Sequence, residues 1–393
     1  MSELLGLEDA QARLLALAPL LPLVSVPTEA SLGRIIAEDI HAARTQPAAD
    51  LSAMDGYALG PGEGPWRLVG ESRAGAPFAG TLGSGECVRI STGAIVPGGG
   101  TCVLLQEDAV RSGDAITATN LLPPGRHIRA RGFDFNRGDR LLGRGSRMTA
   151  GRMALTLAAG HGTVIVTRPL RVAVMDCGDE LATDPADCLP HQIPASNAAM
   201  IAAMLAPLGC EVTRIGPVPD ARAALTAALA KAEGADILIT SGGVSVGEHD
   251  LIKPALADWG AQIAFWKIAI KPGKPLLVAT RGAQVVLGLP GNPVSSFVTA
   301  FLFALPLVRA SQGDPEPRPG FVTLHAGEDL PAVGPRREFL RAVRNGDTVQ
   351  LAGSQDSSAL SALADADCLI DRPARAPAVT RGAPIRVFSL QNG

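Results

Sequence analysis

Several segments of this 393-residue chain set reactive side chains in turns framed by glycine or proline. The richest is Thr240-Ser241-Gly242-Gly243-Val244-Ser245-Val246-Gly247-Glu248-His249-Asp250. It follows an apolar run and leads into a helix-like one. Its glycines let a ligand approach the backbone, and amides at a helix start can hold an anion. Gly242 and Gly247 have the spacing of a phosphate loop, but Glu248-His249 stands where such a loop needs Lys and Ser or Thr. A P-loop NTPase is therefore excluded. A carboxylate among phosphate-binding amides calls for a cation, which makes Asp250 a candidate Mg2+ contact. The alternative is an Asp favoured by the dipole in a first helical turn. His249 reads as a helix-surface residue. No Ser/His/Asp order, catalytic Cys/His pair or G-x-G-x-x-G string is present.

Four further segments add to this set. Asp176-Cys177-Gly178-Asp179-Glu180 ends an apolar run and offers carboxylates suited to a metal or a ribose, or simply a solvated turn. In Lys267-Ile268-Ala269-Ile270-Lys271-Pro272-Gly273-Lys274-Pro275, an extended strand would project Lys267 and Lys271 to one face, with Lys274 in a stiff turn beside them. Three converging lysines suit an oxyanion, and lysines that keep an edge strand soluble are the alternative. The rigid Pro-Gly frame favours binding, because less order is lost. Leu289-Pro290-Gly291-Asn292-Pro293-Val294-Ser295 is a fixed turn whose amides and Ser295 hydroxyl are expected at the same crevice, or an ordinary proline-led helix start. Ser52-Ala53-Met54-Asp55-Gly56-Tyr57-Ala58 holds the only tyrosine and, with Thr92-Gly93, Arg129 and Asp134, supplies polar groups that composition alone does not separate from turn residues.

The elements that must position these turns fall into distinct regions. Residues 46–140 alternate turns such as Pro97-Gly98-Gly99-Gly100 with short runs such as Cys87–Ile90 and Cys102–Leu105, which reads as a β-rich domain. Residues 170–312 alternate strand-like runs (Arg171–Met175, Val212–Ile215, Ala235–Thr240, Ile263–Ile270, Leu276–Thr280, Val285–Leu289) with helix-like ones. The helices are expected over Asn197–Leu208 capped by Ser196 or Asn197, over 221–232 capped by Asp220, over Glu248–Asp258 despite Pro254, and from Pro293 onward. Such alternation implies a doubly wound, largely parallel sheet, with ligands beyond the carboxyl ends of its strands. Residues 313–393 return to short β-like runs (Val322–His325, Glu338–Val343, Thr348–Leu351, Ile385–Ser389), a small C-terminal β domain. Residues 1–45 and 141–169 look helical in part and are expected to form a connecting domain. The fold class is thus α/β plus β, multi-domain.

Bulk properties narrow the function. Hydrophobic residues at 47% and charged residues at 19% supply packed cores, and a net charge of −3 gives no general attraction to nucleic acid or an anionic membrane. Six scattered cysteines without a C-x-x-C pair read as the reduced thiols of a cytoplasmic chain. Glu3, Glu8 and Asp9 stand where a signal peptide carries Lys or Arg. The longest apolar stretch, Val294–Val308, is interrupted by Ser295, Ser296, Thr299 and Pro306 and is expected to be a buried helix too short for a bilayer.

Eight strings occur in an order that closely resembles the molybdopterin molybdenumtransferase family, which includes bacterial MoeA and the gephyrin E domain. They are SAMDGYA (52–58), STGA (91–94), HIRARGFDF (127–135), GDEL (178–181), SGGVSVGEHD (241–250), KPGKP (271–275), GLPGNPVS (288–295) and REFLR (337–341). The resemblance implies Mg2+-dependent hydrolysis of adenylylated molybdopterin, insertion of molybdate into its dithiolene, and release of AMP. It also implies an elongated homodimer, its site shared between the parallel-sheet domain of one subunit and the β-rich domain of the other, and transient contact with the adenylyltransferase and molybdoenzyme-maturation proteins. Carried over by motif, Asp55, Asp134, Glu180, Asp250, Lys267 and Lys271 are catalytic, with Glu180 and Asp250 on the metal. Thr92, Arg129, Asp220, Ser241, Gly242, Gly243, Ser245 and Lys274 bind substrate. Pro290, Gly291 and Pro293 shape the crevice, and Ser295, Arg341 and Ser357 neighbour molybdate. A tungstate-inserting paralogue and a non-catalytic gephyrin-like scaffold share the same strings. Three positions depart from the family pattern. Asp176-Cys177 replaces Ser/Pro-Thr, Pro194-Ala195 lacks the usual Asp or Asn, and Asp356 replaces a glycine beside Ser357.

Overall fold

The structure is a computed structural model that describes residues 4–120, 122–243 and 251–390. Its central sheet orders Glu211–Val218, Arg171–Cys177, Ile237–Ser241, Gln284–Leu289, Leu277–Arg281 and Gln262–Trp266. The first four strands are parallel, and the last two run antiparallel to their neighbours. Alternate side chains go to opposite faces: Val172, Val174, Ile237, Ile239, Val285 and Leu287 to one core, Ala173, Met175, Leu238 and Val286 to the other. Both faces are covered, so these strands are apolar throughout and do not alternate with polar residues.

On the first face lie helices α1 (Leu7–Leu15), α2 being elsewhere (Ala150–Ala158), then α3 (Asn197–Leu205) and α6 (Pro293–Thr299) running into α7 (Leu305–Ser311); on the second lie α4 (Arg222–Lys231) and α5 (Ile252–Asp258). Some boundaries differ from expectation. The N-cap of α4 is Ala221, without a side-chain bond, so Asp220 does not cap it. Pro254 leaves α5 intact because it sits in the first turn, where a missing N–H breaks no ladder bond. The single strand expected over 263–270 is two. Gln262–Trp266 ends where Lys267 turns the chain at φ 70°, and Ile270–Lys271 pairs with Arg337–Asn345 in another sheet. Ile268 and Ile270, on either side of Ala269, are both fully buried in the core.

The helix from Pro293 to Ser311 spans 19 residues, longer than the apolar stretch suggests, and is long and apolar enough to cross a bilayer. It is a core helix, 89% buried. Thr299 tolerates burial by donating its hydroxyl to the Ser295 carbonyl at 2.7 Å. Pro306 has no N–H for the Leu302 carbonyl one turn back, and a π-helical turn, Ala300–Ala304, precedes it. The buried side-chain amide of Gln11 in α1 donates to that carbonyl at 2.7 Å, which ties α1 to the central core.

Residues 46–140 hold a six-stranded sheet ordered Cys102–Leu105, Gly56–Leu59, Glu86–Ile90, Trp66–Ser72, Ala115–Ala118, Ala109–Ser112. Segments 1–45 and 141–169 meet in a ribbon, Leu23–Pro27 against Thr163–Thr167, and share a small core of Ile36, Ile40, Leu142, Met148, Val164 and Val166. At the other end Arg337–Asn345, Thr348–Leu351, Val322–Ala326, Pro384–Ser389 and Cys368–Arg372 pair in that order, and the first and last also pair, closing a barrel. The barrel docks on the central core through Phe388, 6.1 Å from Phe301 between ring centroids, and Phe339 of the barrel packs against Phe388 at 6.2 Å.

Replacing Gln11 by Leu strands the Leu302 carbonyl in the core. It is expected to lower stability by about 1–3 kcal/mol, read as a shifted urea midpoint with unchanged slope.

Candidate functional site

Three turns meet at the carboxyl edge of the central sheet, because Arg171–Cys177, Ile237–Ser241 and Gln284–Leu289 are parallel neighbours or near neighbours. They stack closely. Gly242 has φ 92°, and a Cβ there would come within 2.2 Å of the Cys177 carbonyl oxygen. A Cβ on Gly291 would lie 3.5 Å from the Gly242 Cα. Between the turns and the start of α3 opens a shallow cleft lined by Asp176, Cys177, Glu180, Leu181, Ile193, Pro194, Ser196, Asn197, Ser241, Gly291 and Pro293.

One residue of α3 joins these turns. The Asn197 side-chain amide donates to Ser241 Oγ at 2.9 Å and to the Gly291 carbonyl at 2.7 Å. Ser241 in turn reaches the Pro290 carbonyl at 3.4 Å. The sequence offered Asn197 only as a helix cap. In the structure the N-cap is Ser196, without a side-chain bond, and Asp176 Oδ2 accepts from the Ala198 N–H at 2.9 Å instead. The carboxylate added at 176 thus lies at the helix start that Ala195 leaves without one.

Burial raises the Asp176 carboxyl above the ordinary carboxylate range, against the opposing Ala198 N–H and Arg214 charge. Burial, with the nearby carboxylates of Asp220, Asp176 and Glu180, also pushes the Cys177 thiol far up. It stays protonated and is no nucleophile. Glu180 is exposed at the rim, and Asp179 Oδ1 accepts from the Asp220 backbone N–H at 2.9 Å. Among the described residues no group of three or more His, Cys, Asp or Glu is arranged to hold a metal. Mg2+ does not require such a cage, since it commonly takes one or two carboxylates plus water and phosphate oxygens. Glu180 fits that chemistry. Ser245 and Asp250 lie outside the described residues.

The lysines do not share one strand face, since the chain breaks at Lys267. Lys267 Nζ stands 3.8 Å from the Trp266 ring centroid, Lys271 Nζ pairs with Glu338 at 3.0 Å, and Lys274 is exposed. The turn carrying Lys271 and Lys274 abuts α6: a Cβ on Gly273 would meet Thr299 Cγ2 at 2.6 Å. Lys271 is partly neutralised by Glu338, a partner that its motif does not reveal.

Ser295 is buried within α6 and is not among the cleft-lining residues. Arg341 is fully buried and donates to the Ser354 and Asp356 carbonyls at 2.6 and 3.0 Å. It supports the 354–358 loop, and its Nε has no hydrogen-bond partner among the described residues. The loop delivers Ser357, whose hydroxyl accepts from the Asn292 side chain at 2.8 Å while its carbonyl accepts from the Val294 N–H at 3.2 Å. Asp356 turns inward on its own loop, its carboxylate accepting from the Ser358 hydroxyl and amide.

Asp55, Thr92, Arg129 and Asp134 are held within the β-rich region. Asp55 Oδ1 accepts from the Thr92 N–H at 2.7 Å, Arg129 pairs with Leu51, and the Asp134 N–H donates to the Gln46 carbonyl at 3.0 Å. The cleft lining includes none of these four.

Family models match three consecutive parts of the chain: the MoeA N-terminal region (domain I and II) over residues 5–160, a probable molybdopterin binding domain over 173–310, and the MoeA C-terminal region (domain IV) over 323–390. A molybdopterin molybdenumtransferase of Haemophilus influenzae is 38% identical over 350 residues, covering 86% of each chain. The chain belongs to the molybdopterin molybdenumtransferase family. It is accordingly a transferase. A molybdopterin molybdenumtransferase 2 of Mycobacterium tuberculosis is 33% identical over 384 residues, 93% of this chain and 95% of the relative. A molybdopterin biosynthesis MoeA protein of Pyrococcus horikoshii superposes over the full length of both chains with a TM-score of 0.85 at 28% identity. That likeness agrees with the expected α/β plus β multi-domain fold.

Two substitutions test this geometry. Gly242→Ala forces a Cβ into the Cys177 carbonyl and is expected to lose about 2–3 kcal/mol, whereas Gly151→Ala, whose Cβ meets nothing in α2, gains roughly 0.5 kcal/mol in the same denaturant titration. The raised folded value of Asp176 means the native state binds this proton more tightly than the unfolded chain. The group's contribution therefore worsens as pH rises from its ordinary value of 3.8 through the raised one. Asp176→Asn is expected to be more stable than the parent protein at neutral pH, with the difference closing in acid below that ordinary value, read from melts across the range.

Proposed function

We propose that this chain inserts molybdate into adenylylated molybdopterin, with hydrolysis of the adenylate and release of AMP and molybdenum cofactor. The observation that carries the reading is the meeting of the 176–180, 241–243 and 290–293 turns at one cleft, tied by Asn197. Backbone groups and a hydroxyl at a strand-end crevice suit a phosphate-linked heterocycle.

In this reading the phosphoanhydride lies at the rim, where Lys267 and Lys274 offset the charge of phosphate and molybdate and Lys271 shares that role with Glu338. Water adds to the phosphoryl group, the phosphorus–oxygen bond to the pterin phosphate breaks, and AMP departs. Glu180, together with Asp250, would hold Mg2+, which supplies Lewis-acid neutralisation of phosphate oxygens when bound. The Asn292–Ser357 contact, beside the 290–293 turn, supports a reading in which the C-terminal domain borders the oxyanion. The 46–140 residues Asp55, Thr92, Arg129 and Asp134 take part through a homodimer, in which this region of one subunit faces the cleft of the other. The chemistry is that of a cytoplasmic biosynthetic enzyme receiving its substrate from an adenylyltransferase and passing its product to molybdoenzyme-maturation proteins.

Incubation with adenylylated molybdopterin, Mg2+ and molybdate, scoring AMP and metallated pterin together, tests the reaction; AMP release without metal incorporation would count against it. Glu180→Gln is expected to slow AMP release by the order of 100-fold. Mixed dimers of Glu180→Gln with Arg129→Ala subunits should regain activity that neither variant has alone, and no recovery would refute a shared site.

A further inference from the structure

Trp266 carries two ammonium groups on one indole. Lys253 Nζ stands 3.1 Å from its ring centroid and Lys267 Nζ 3.8 Å, and all three residues are partly exposed. Neighbours in an extended strand project to opposite faces, so Lys267 could not there reach the ring of the residue before it. The turn at Lys267, φ 70°, brings its ammonium back to that ring. A residue with a Cβ keeps such a backbone only where its surroundings hold it. Two bonds do so: the Lys267 N–H donates to the Leu276 carbonyl and the Ile268 N–H to the Lys274 carbonyl, both at 3.0 Å. Lys253 reaches the same ring from α5, on the second face of the sheet.

The two nitrogens are separated by no more than the sum of their distances from the centroid, and like charges that close repel. The ring face offsets part of each charge. Among the described residues Lys267 makes no ion pair with a carboxylate, whereas Lys271 pairs with Glu338. The pair stands between two of the turns that carry the motifs. A Cβ on Gly243 would collide with Ile252, next to Lys253, so the start of α5 packs on the 241–243 turn, and the bonds at Lys267 and Ile268 tie it to the end of the 271–275 turn. A doubly charged oxyanion removes the repulsion and can accept a charge-assisted hydrogen bond from each ammonium. We infer that Trp266 is a positioning residue that holds Lys253 and Lys267 together, and that Lys253 is a further anion-binding residue for the doubly charged oxyanion, phosphate or molybdate, of the reaction. The inference rests on the function proposed above and gives Lys253 a part that no motif assigned to it.

Calorimetric binding of the intact protein to molybdate and to AMP, at low salt, tests this. Lys253→Gln is expected to weaken binding about 10-fold for the anion that the pair holds, and Lys253→Arg to restore most of that loss. Trp266→Leu is expected to weaken it to a similar degree, and Trp266→Phe, which keeps a ring face, by about threefold or less. Lys253→Gln and Trp266→Leu combined should lose less than the two separate losses together, because the indole acts through the lysines. Loss in the molybdate arm, the AMP arm or both supports the pair and identifies the oxyanion. Trp266 emission is expected to change as that anion titrates, a signal absent from Trp266→Phe that a purely structural indole would not give. Unchanged binding of both probes in Lys253→Gln, additive losses in the double variant, equal losses for Leu and Phe at 266, or a parent protein that binds neither probe would overturn the inference. Lys253→Gln and Trp266→Phe keep the test decisive if Trp266→Leu does not fold. A parent protein that binds these anions through Lys253 yet releases no AMP from adenylylated molybdopterin would refute the proposed reaction and leave the pair standing.

Discussion

The two hydrogen bonds given by the Asn197 amide span 44 residues to Ser241 and 94 to Gly291. They bring together turns that no local preference would align. The strands beneath supply the frame, because parallel neighbours end at the same edge and their following loops must share a rim. Frame alone leaves those loops free to splay. The side chain of one buried residue at the start of α3 draws them into contact, and the glycines at 242 and 291 permit the approach. The cleft is what remains open between α3 and the joined turns.

The same edge is where the chain departs from good packing. Asp176 ends a strand whose preceding residues are apolar and buried, and burial works against its charge. Cys177 beside it is held as a thiol by burial and by neighbouring carboxylates. Polar groups left unmatched in a folded core are expected at sites that meet a ligand, where stability is given up for recognition. The surrounding structure bears this because both sheet faces are densely covered, and because α1 and the barrel are fastened to the same core by Gln11 and by Phe301 against Phe388.

The C-terminal barrel acts on the site from outside the central domain. Inside the barrel Arg341 donates to two loop carbonyls, and the loop so supported presents Ser357 to Asn292. Glu338, on the same strand, draws Lys271 across from the short Ile270–Lys271 strand that joins the two sheets. Residues that a motif would place against ligand are thus partly engaged with one another, and their influence on the oxyanion runs through position as much as through charge.

Much of this was legible in the order of residues. Apolar runs with alternating outlets announced the central strands, Pro293 announced the start of α6, and the glycine turns marked the ligand edge, because strand period, proline geometry and glycine freedom are local properties. Other features were not. The break at Lys267 is invisible locally, since Ile268 and Ile270 are as compatible with one strand as with two, and only the barrel's demand for Ile270–Lys271 as a partner decides. The strand Cys368–Arg372 escaped notice because Asp371 and Arg372 look like loop residues until Arg337 pairs with Asp371 and buries it. The burial of Arg341 is hidden for the same reason, being a property of the closed barrel. The sequence by itself therefore determined which chemical groups each turn offers and the family to which the chain is similar. The tertiary structure decided which groups meet, because that depends on contacts between residues far apart in the chain whose energies exist only once the sheets are assembled.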